Sequence, residues 1–495
     1  MSYNKGKKLL SERFYLTWAG EQMFWTVRMT LKMRDPVDGD LLRQAVESTR
    51  QRYPYYQVKL GIRKDTEGTE YFVYEDNSEP WVVNEGEEPV RLIGPESNNH
   101  LLAFCYWDKY IALDFFHCLT DGTGAYNILR TLLYEYSRRR YDATLSRERI
   151  TLPKGVHVER ILTPEGMNMA NIRVAGDTIS PKEWEDPAAQ AKPDHLDPLP
   201  LPKRPRCINL STQAKTTVNE AVETINILVE EQEMMKYVSS GDTSPATLVS
   251  LLLTRAIARL HPDTTEGVPM VALAINQRPA LGCPQAGQTL AAALRLTLNN
   301  EMRGMDLETQ QTIFRGMVAL QSNEDNVIES FWQTQNTQDM FEKIPTIEGR
   351  HQAMAKAYSV VTSAATTCVS YVGNANLGAA EQYVSEMYTE AYTPYVLTIE
   401  MSAVGGTFCI SLMQRFADDT YLEAFLDEFR QIGMDYRIAM RHPMMVAPIA
   451  DYLSTTDIRL QQCATGCSCI ARNSFLKDKQ INRNLSIRYF FLNIN

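Results

Sequence analysis

A mixed α/β protein built as two lobes is what three features of the sequence predict. The chain has 495 residues, more than one hydrophobic core ordinarily serves. Each half opens on a stretch of strand character followed by one of helical character. Between the halves, residues 180–206 carry seven prolines in 27 positions with little apolar periodicity, which predicts an extended connection. The expected division is a first lobe over 1–175, a connection over 176–215, a second lobe over 216–452, and a tail of unknown order over 453–495.

In the first lobe, WTVRMTLKM (25–33) alternates apolar and polar residues. It predicts a half-buried strand with Trp25, Val27, Met29, Leu31 and Met33 on one face. After the turn-rich DPVDGD, Leu41, Leu42, Ala45 and Val46 recur at helical spacing until Pro54. Residues 71–74, 101–107 and 110–116 read as strands, the last two joined by Asp108 and Lys109 as a tight hairpin. Ile128, Leu129, Leu132, Leu133 and Tyr136 then predict a helix, so His117 sits where strand gives way to helix.

The second lobe begins with a strand over 221–229 and a helix started by Ser244 as N-cap and Pro245 at its first position. Leu248, Val249, Leu252, Leu253, Ala256, Ile257 and Leu260 line its buried side. Further strands are expected over 270–275, 290–298, 367–372, 395–401 and 407–414, the last two joined through Gly405-Gly406. A closing helix from Tyr421 places Leu422, Phe425, Leu426, Phe429 and Ile432 on one face.

Composition narrows the function. With 44% hydrophobic and 22% charged residues, a net charge of -10 and a pI near 5.4, the chain does not suit a phosphate backbone as partner. No nucleic acid is expected. No apolar run approaches the ~18 residues of a membrane helix, and no signal-peptide core follows the start, so a cytoplasmic protein without an integral membrane segment is expected. Of the nine cysteines, the six from Cys105 to Cys409 are scattered singly in the body, as suits reduced thiols. Cys463, Cys467 and Cys469 cluster in the tail but lack a fourth ligand at a zinc-site spacing, and no metal is expected.

The chemistry concentrates at His117-x-x-x-Asp121-Gly122. Random placement in this composition gives roughly 0.02 such strings per chain. An imidazole, with its pKa near neutrality, suits abstraction of a proton from a hydroxyl or amine as it attacks a carbonyl. Asp121, followed by Gly122 and Thr123 at a helix start, makes a good N-cap and need not touch substrate. Cys118, the neighbour of His117, is expected to point the other way, into the core. Arg138, Arg139 and Arg140 close a helix, where cations suit the dipole.

The heptapeptide FHCLTDG (116–122), after a short hairpin and before a helix, resembles the active-site motif of the chloramphenicol acetyltransferase-like superfamily. That group holds alcohol acetyltransferases, plant acyltransferases, polyketide-associated acyltransferases and peptide-synthetase condensation domains. The resemblance in layout runs from about residue 10 to 450, and PVDGDLLRQAVESTRQRYPYY (36–56) is similar to the alcohol acetyltransferase type. It implies two similar α/β lobes with a tunnel between them, the histidine at its centre, and donor and acceptor entering from opposite mouths. It also implies that Asp121 turns from substrate and pairs with an arginine of the second lobe, matched here by Arg278 in VALAINQRPAL.

Two departures narrow the kinship. Condensation domains usually carry a second histidine where this chain has Phe116, and the plant type carries Asp-Phe-Gly-Trp-Gly where this chain has SYVGNANLG (370–378). Asn374 in that segment either presents an amide near the oxyanion or forms the turn beside Gly373. The expected function is transfer of an acyl group from a thioester to a small-molecule alcohol or amine, with His117 as general base. Acyl-coenzyme A is the expected co-substrate, and no bound cofactor is expected. The alternatives are a condensation-type enzyme drawing on an acyl carrier protein, and a member of the fold that binds ligand without turnover.

Overall fold

In the computed structural model the described residues are 6, 8–19, 24–141 and 181–450. The cysteine-bearing tail over 453–495 lies outside them, as do residues 142–175 of the expected first lobe.

The first half contains α1 (Arg13–Trp18), β1 (Thr26–Met33), α2 (Gly39–Arg52), β2 (Val58–Lys64), β3 (Glu70–Asp76), β4 (Val83–Glu85), β5 (Leu102–Trp107), β6 (Tyr110–Phe116) and α3 (Gly122–Arg140). Asp38 starts α2 by accepting from the amides of Asp40 and Leu41 at 3.1 and 3.0 Å. Asp108 takes a positive φ of 40° to close the β5–β6 hairpin. In the second half, β7 (Val218–Glu230), β8 (Met270–Asn276), β9 (Ala291–Thr297), β10 (Thr367–Asn374), β11 (Val384–Ala391), β12 (Leu397–Val404), β13 (Thr407–Phe416) and β14 (Arg437–Pro443) are interleaved with helices. The helix Pro245–Leu260 is capped by Ser244, whose Oγ accepts from Thr247 N at 3.1 Å.

Two sheets result, in strand orders β11-β1-β6-β5-β4 and β14-β7-β13-β12-β10-β8-β9, with β2 and β3 as a separate pair. One buried cluster joins Phe104, Leu113, Leu42, Leu129 and Leu132 around the first sheet. A second joins Ile399, Ile410, Leu248, Leu252 and Phe425 around the other. The architecture is mixed α/β.

Three features depart from the sequence reading. First, β1 is buried on both faces, because Arg28 on the face expected to meet water pairs with buried Asp114 at 3.1 Å and donates to Glu87 O at 2.8 Å. Burial nevertheless pushes the Asp114 carboxyl up to about 6, against the pull of Arg28. Second, β11, unread in the sequence, leaves the C-terminal half and pairs antiparallel with β1. Its carboxylates are partnered, Glu386 by the cations Lys32 and Arg437 and Glu390 by the Thr224 hydroxyl. Third, the helices Leu307–Gln321, Glu324–Glu342 and Ile347–Thr362 were not anticipated.

The proline-rich connection is tied down at its start. Glu183 forms a buried two-pronged pair with Arg52 at 2.9 and 3.3 Å, Trp184 packs on Tyr55, Tyr56 and Tyr74, and Asp186 accepts from Ser11. This docking places Asp186 near Glu12, whose side chain is 1% exposed. Burial, reinforced by Asp186, pushes the Glu12 carboxyl up to about 8. The folded chain therefore holds a proton there that the unfolded chain releases above its ordinary 4.5. Stability falls as pH rises through that window. Glu12→Gln is expected to raise stability at pH 8 by on the order of 2 kcal/mol while changing little at pH 4.5. Denaturant melts at the two pH values check this, and an equal effect at both would contradict it.

Candidate active site

The last ladder bond of β6 runs one residue past the strand, His117 N donating at 2.8 Å to O of Trp25, its register partner just before β1, and Trp25 takes a positive φ of 48°, where the pairing ends. The imidazole, half-buried, is fixed from both halves of the chain. Tyr15 of α1 stacks on it with centroids 4.4 Å apart and planes 11° from parallel. Its Nδ1 lies 3.2 Å from Thr289 Oγ1, and the Tyr15 hydroxyl hydrogen-bonds the same threonine. The ring also bonds the backbone of its own residue. A proton on Nδ1 serves these acceptors and assigns the lone pair to Nε2, which meets no partner among the described residues. Burial holds the imidazole below its usual pKa, the Asp121 charge opposing and the Arg278 charge assisting, so the ring is neutral at pH 7.

Asp121 gathers five donors. Oδ1 accepts from Thr123 N at 3.0 Å and Gly124 N at 3.4 Å, which starts α3. Arg278 binds both oxygens, each at 2.9 Å, and Leu290 N reaches Oδ2 at 2.9 Å. Burial would push this carboxyl up, but the guanidinium outweighs it and holds it below the usual range. Arg278 is fully buried and spends its remaining donors on Ala286 O, Gln288 O and Asn276 Oδ1. The segment 283–290 is thereby wrapped over the histidine loop. Gly287 O accepts from Thr120 Oγ1 at 2.7 Å and from the Tyr56 hydroxyl at 2.8 Å.

Gly122 is required by close approach. A Cβ there would stand 2.3 Å from Val372 Cγ2 of β10 and 3.3 Å from Met29 Cε of β1. Asn374 resolves toward the turn: it is exposed, and its Oδ1 accepts from Asn376 N at 2.8 Å. Cys118 is fully buried with its thiol pushed far up by that burial, beneath Tyr74, whose hydroxyl donates to Cys118 O at 3.1 Å.

The structure brings His117, Asp121, Gly122 and Arg278 together and leaves Asn374 at the surface turn. Tyr15 and Thr289 join the site without having stood out in the sequence. Neither belongs to a spaced motif; Thr289 reaches the imidazole from 172 positions away. Among the described residues no helix is long and apolar enough to cross a membrane.

No protein-family model matches the sequence, and no curated protein matches it. Solved structures do match. Polyketide synthase associated protein 5 from Mycobacterium tuberculosis superposes at TM-score 0.50 and 13% identity, over 88% of this chain and 100% of that one. TRI101 of F. graminearum, solved with coenzyme A and deoxynivalenol, superposes at 0.52 and 11% identity, over 87% and 99%. The epimerization domain from the third module of tyrocidine synthetase B does so at 0.50 and 11%, over 87% and 97%. With nearly the full length of each neighbour covered, the chain has the chloramphenicol acetyltransferase-like fold.

Proposed function

We propose that this protein is an acyltransferase moving an acyl group from a thioester, acyl-coenzyme A in particular, to a hydroxyl or amine of a small acceptor. The observation that carries the reading is the imidazole of His117, neutral, held on its face by Tyr15 and at Nδ1 by Thr289, with Nε2 unengaged. In this reading a lobe over 1–175 supplies the base, a lobe over 216–452 supplies Arg278 and Thr289, and 176–215 connects them. Nε2 takes the acceptor's proton as its oxygen or nitrogen attacks the thioester carbonyl. The tetrahedral intermediate collapses with the thiolate leaving, and the imidazolium returns the proton to sulfur. No acyl-enzyme forms. Asp121 and Arg278 keep the loop in shape and never meet substrate.

A donor of the coenzyme A type is favoured by likeness to TRI101, solved with that molecule. Incubation with a mixed acyl-coenzyme A pool and small alcohols and amines is expected to give an acylated acceptor by mass spectrometry, one per free thiol released. The same acyl groups on a carrier protein are expected to be poor donors. Product from the carrier protein alone would transfer the reading to the condensation type, and binding of acceptor without product from either donor would leave a non-catalytic protein.

A further inference from the structure

The second sheet turns two unlike faces to its surroundings. On β12, Leu397, Ile399, Met401 and Ala403 enter the core beneath the sheet, while Thr398, Glu400 and Ser402 point the other way. On β10, Val369 enters the same core, with Tyr371 packed against it, and Cys368, Ser370 and Val372 share the opposite face. That face looks onto the histidine loop. Val372 closes on Gly122, and Cys368 lies within electrostatic reach of Tyr15, the residue stacked on His117. Ser370 stands between the two, and Glu400 is its register partner on the neighbouring strand.

Glu400 is 8% exposed and held by the Ser370 hydroxyl. Its other flank, Ser411 on β13, is committed to Asn226 Oδ1 at 2.7 Å. No cation acts on the carboxyl among the described residues. Burying a carboxyl without a cation is unfavourable, and burial pushes this one up to about 7. The arginines of this region are engaged elsewhere: Arg278 on Asp121, Arg130 on the carbonyls of Ala375 and Asn376. A positive group brought in by a ligand would satisfy Glu400 as no side chain does.

We propose that Glu400, steadied by Ser370, is the recognition point for an ammonium group on the acceptor, which makes amine-bearing molecules the preferred substrate class. This rests on the acyltransferase reading for the word acceptor, but the binding itself does not depend on turnover. The test therefore uses full-length His117→Ala protein, with n-hexylammonium and n-hexanol as probes in titration calorimetry at pH 7.5. The ammonium is expected to bind at least about tenfold more tightly than the alcohol, and Glu400→Gln in the same background is expected to erase the preference. A pH series covers the case in which the Gln variant folds poorly. Affinity for hexylammonium should fall from pH 8 to 5.5 while that for hexanol stays level. Tyr126 and Cys368, which feel the Glu400 charge, and Tyr15 are all pushed up by burial and stay neutral over that range. Asp121 stays ionised against Arg278, and His117 has been removed. Glu390 on Thr224 and His442 on Asn226 lie farther along the face and do not act on the Glu400 carboxyl. Equal affinities, no measurable binding of hexylammonium, or a preference that survives Glu400→Gln would overturn the proposal. Failure of the wild type to transfer any acyl group, with the preference intact, would overturn the acyltransferase reading instead.

Discussion

His117→Ala is expected to lower kcat/KM for acyl transfer by roughly 10²–10⁴-fold, the range a positioned general base contributes. The fold should survive. What the substitution removes from the structure is one ring stack with Tyr15 and one hydrogen bond to Thr289, together about 1–2 kcal/mol. With an alcohol acceptor, whose binding does not follow the charge of Glu400, wild-type kcat/KM should show an acid limb below pH 6.5, because burial holds the imidazole under its ordinary value and proton abstraction needs the neutral ring. In the variant that limb should vanish, leaving a slow, pH-flat rate. A variant that keeps near wild-type turnover, or that retains the acid limb, would remove His117 from the chemistry.

Thr289→Val separates positioning from chemistry at the same ring. It leaves Nε2 in place but frees Nδ1, and so should lower kcat more than it raises KM.

How far the sequence revealed this arrangement depends on the range of the interactions involved. Local rules reached the β5–β6 hairpin, the Ser244 cap and the Gly405-Gly406 turn, because each is settled by residues a few positions apart. The same rules took β1 to be wet on one face, since alternation reports polarity and cannot tell an exposed arginine from one whose partner, Asp114, lies 86 positions on. Strand β11 was invisible for the same reason: Glu386 and Glu390 look like surface charges until β1, β7 and β14 bring Lys32, Thr224 and Arg437 against them. At the site, His117, Asp121 and Gly122 formed one short string. Arg278 was reached only through a family resemblance, and Tyr15 and Thr289 came only with coordinates.

Arg278→Ala is the test of how that long-range pairing works. The guanidinium neutralises a fully buried carboxylate and fixes three acceptors in segment 276–288. Removing it leaves Asp121 charged and buried with only amide donors, at an expected cost of about 3–5 kcal/mol. The pH dependence gives the sign. In the wild type the Asp121 pKa is depressed in the folded state, so its contribution is present above the ordinary 3.8 and lost only as pH falls through the lower folded value. Without Arg278, burial is free to push that pKa up, and the variant can relieve itself by taking a proton. The stability gap between wild type and Arg278→Ala should therefore be widest near pH 7 and narrow toward pH 4. Activity should respond in a way that loosened packing alone would not produce. Arg278 lowers the imidazole pKa and Asp121 raises it, so the acid limb should move to higher pH in Arg278→Ala and to lower pH in Asp121→Asn. An unchanged melting curve for Arg278→Ala would deny the pairing its structural role. Acid limbs that move the same way in both variants would show that the pair holds the loop without setting the charge felt by His117.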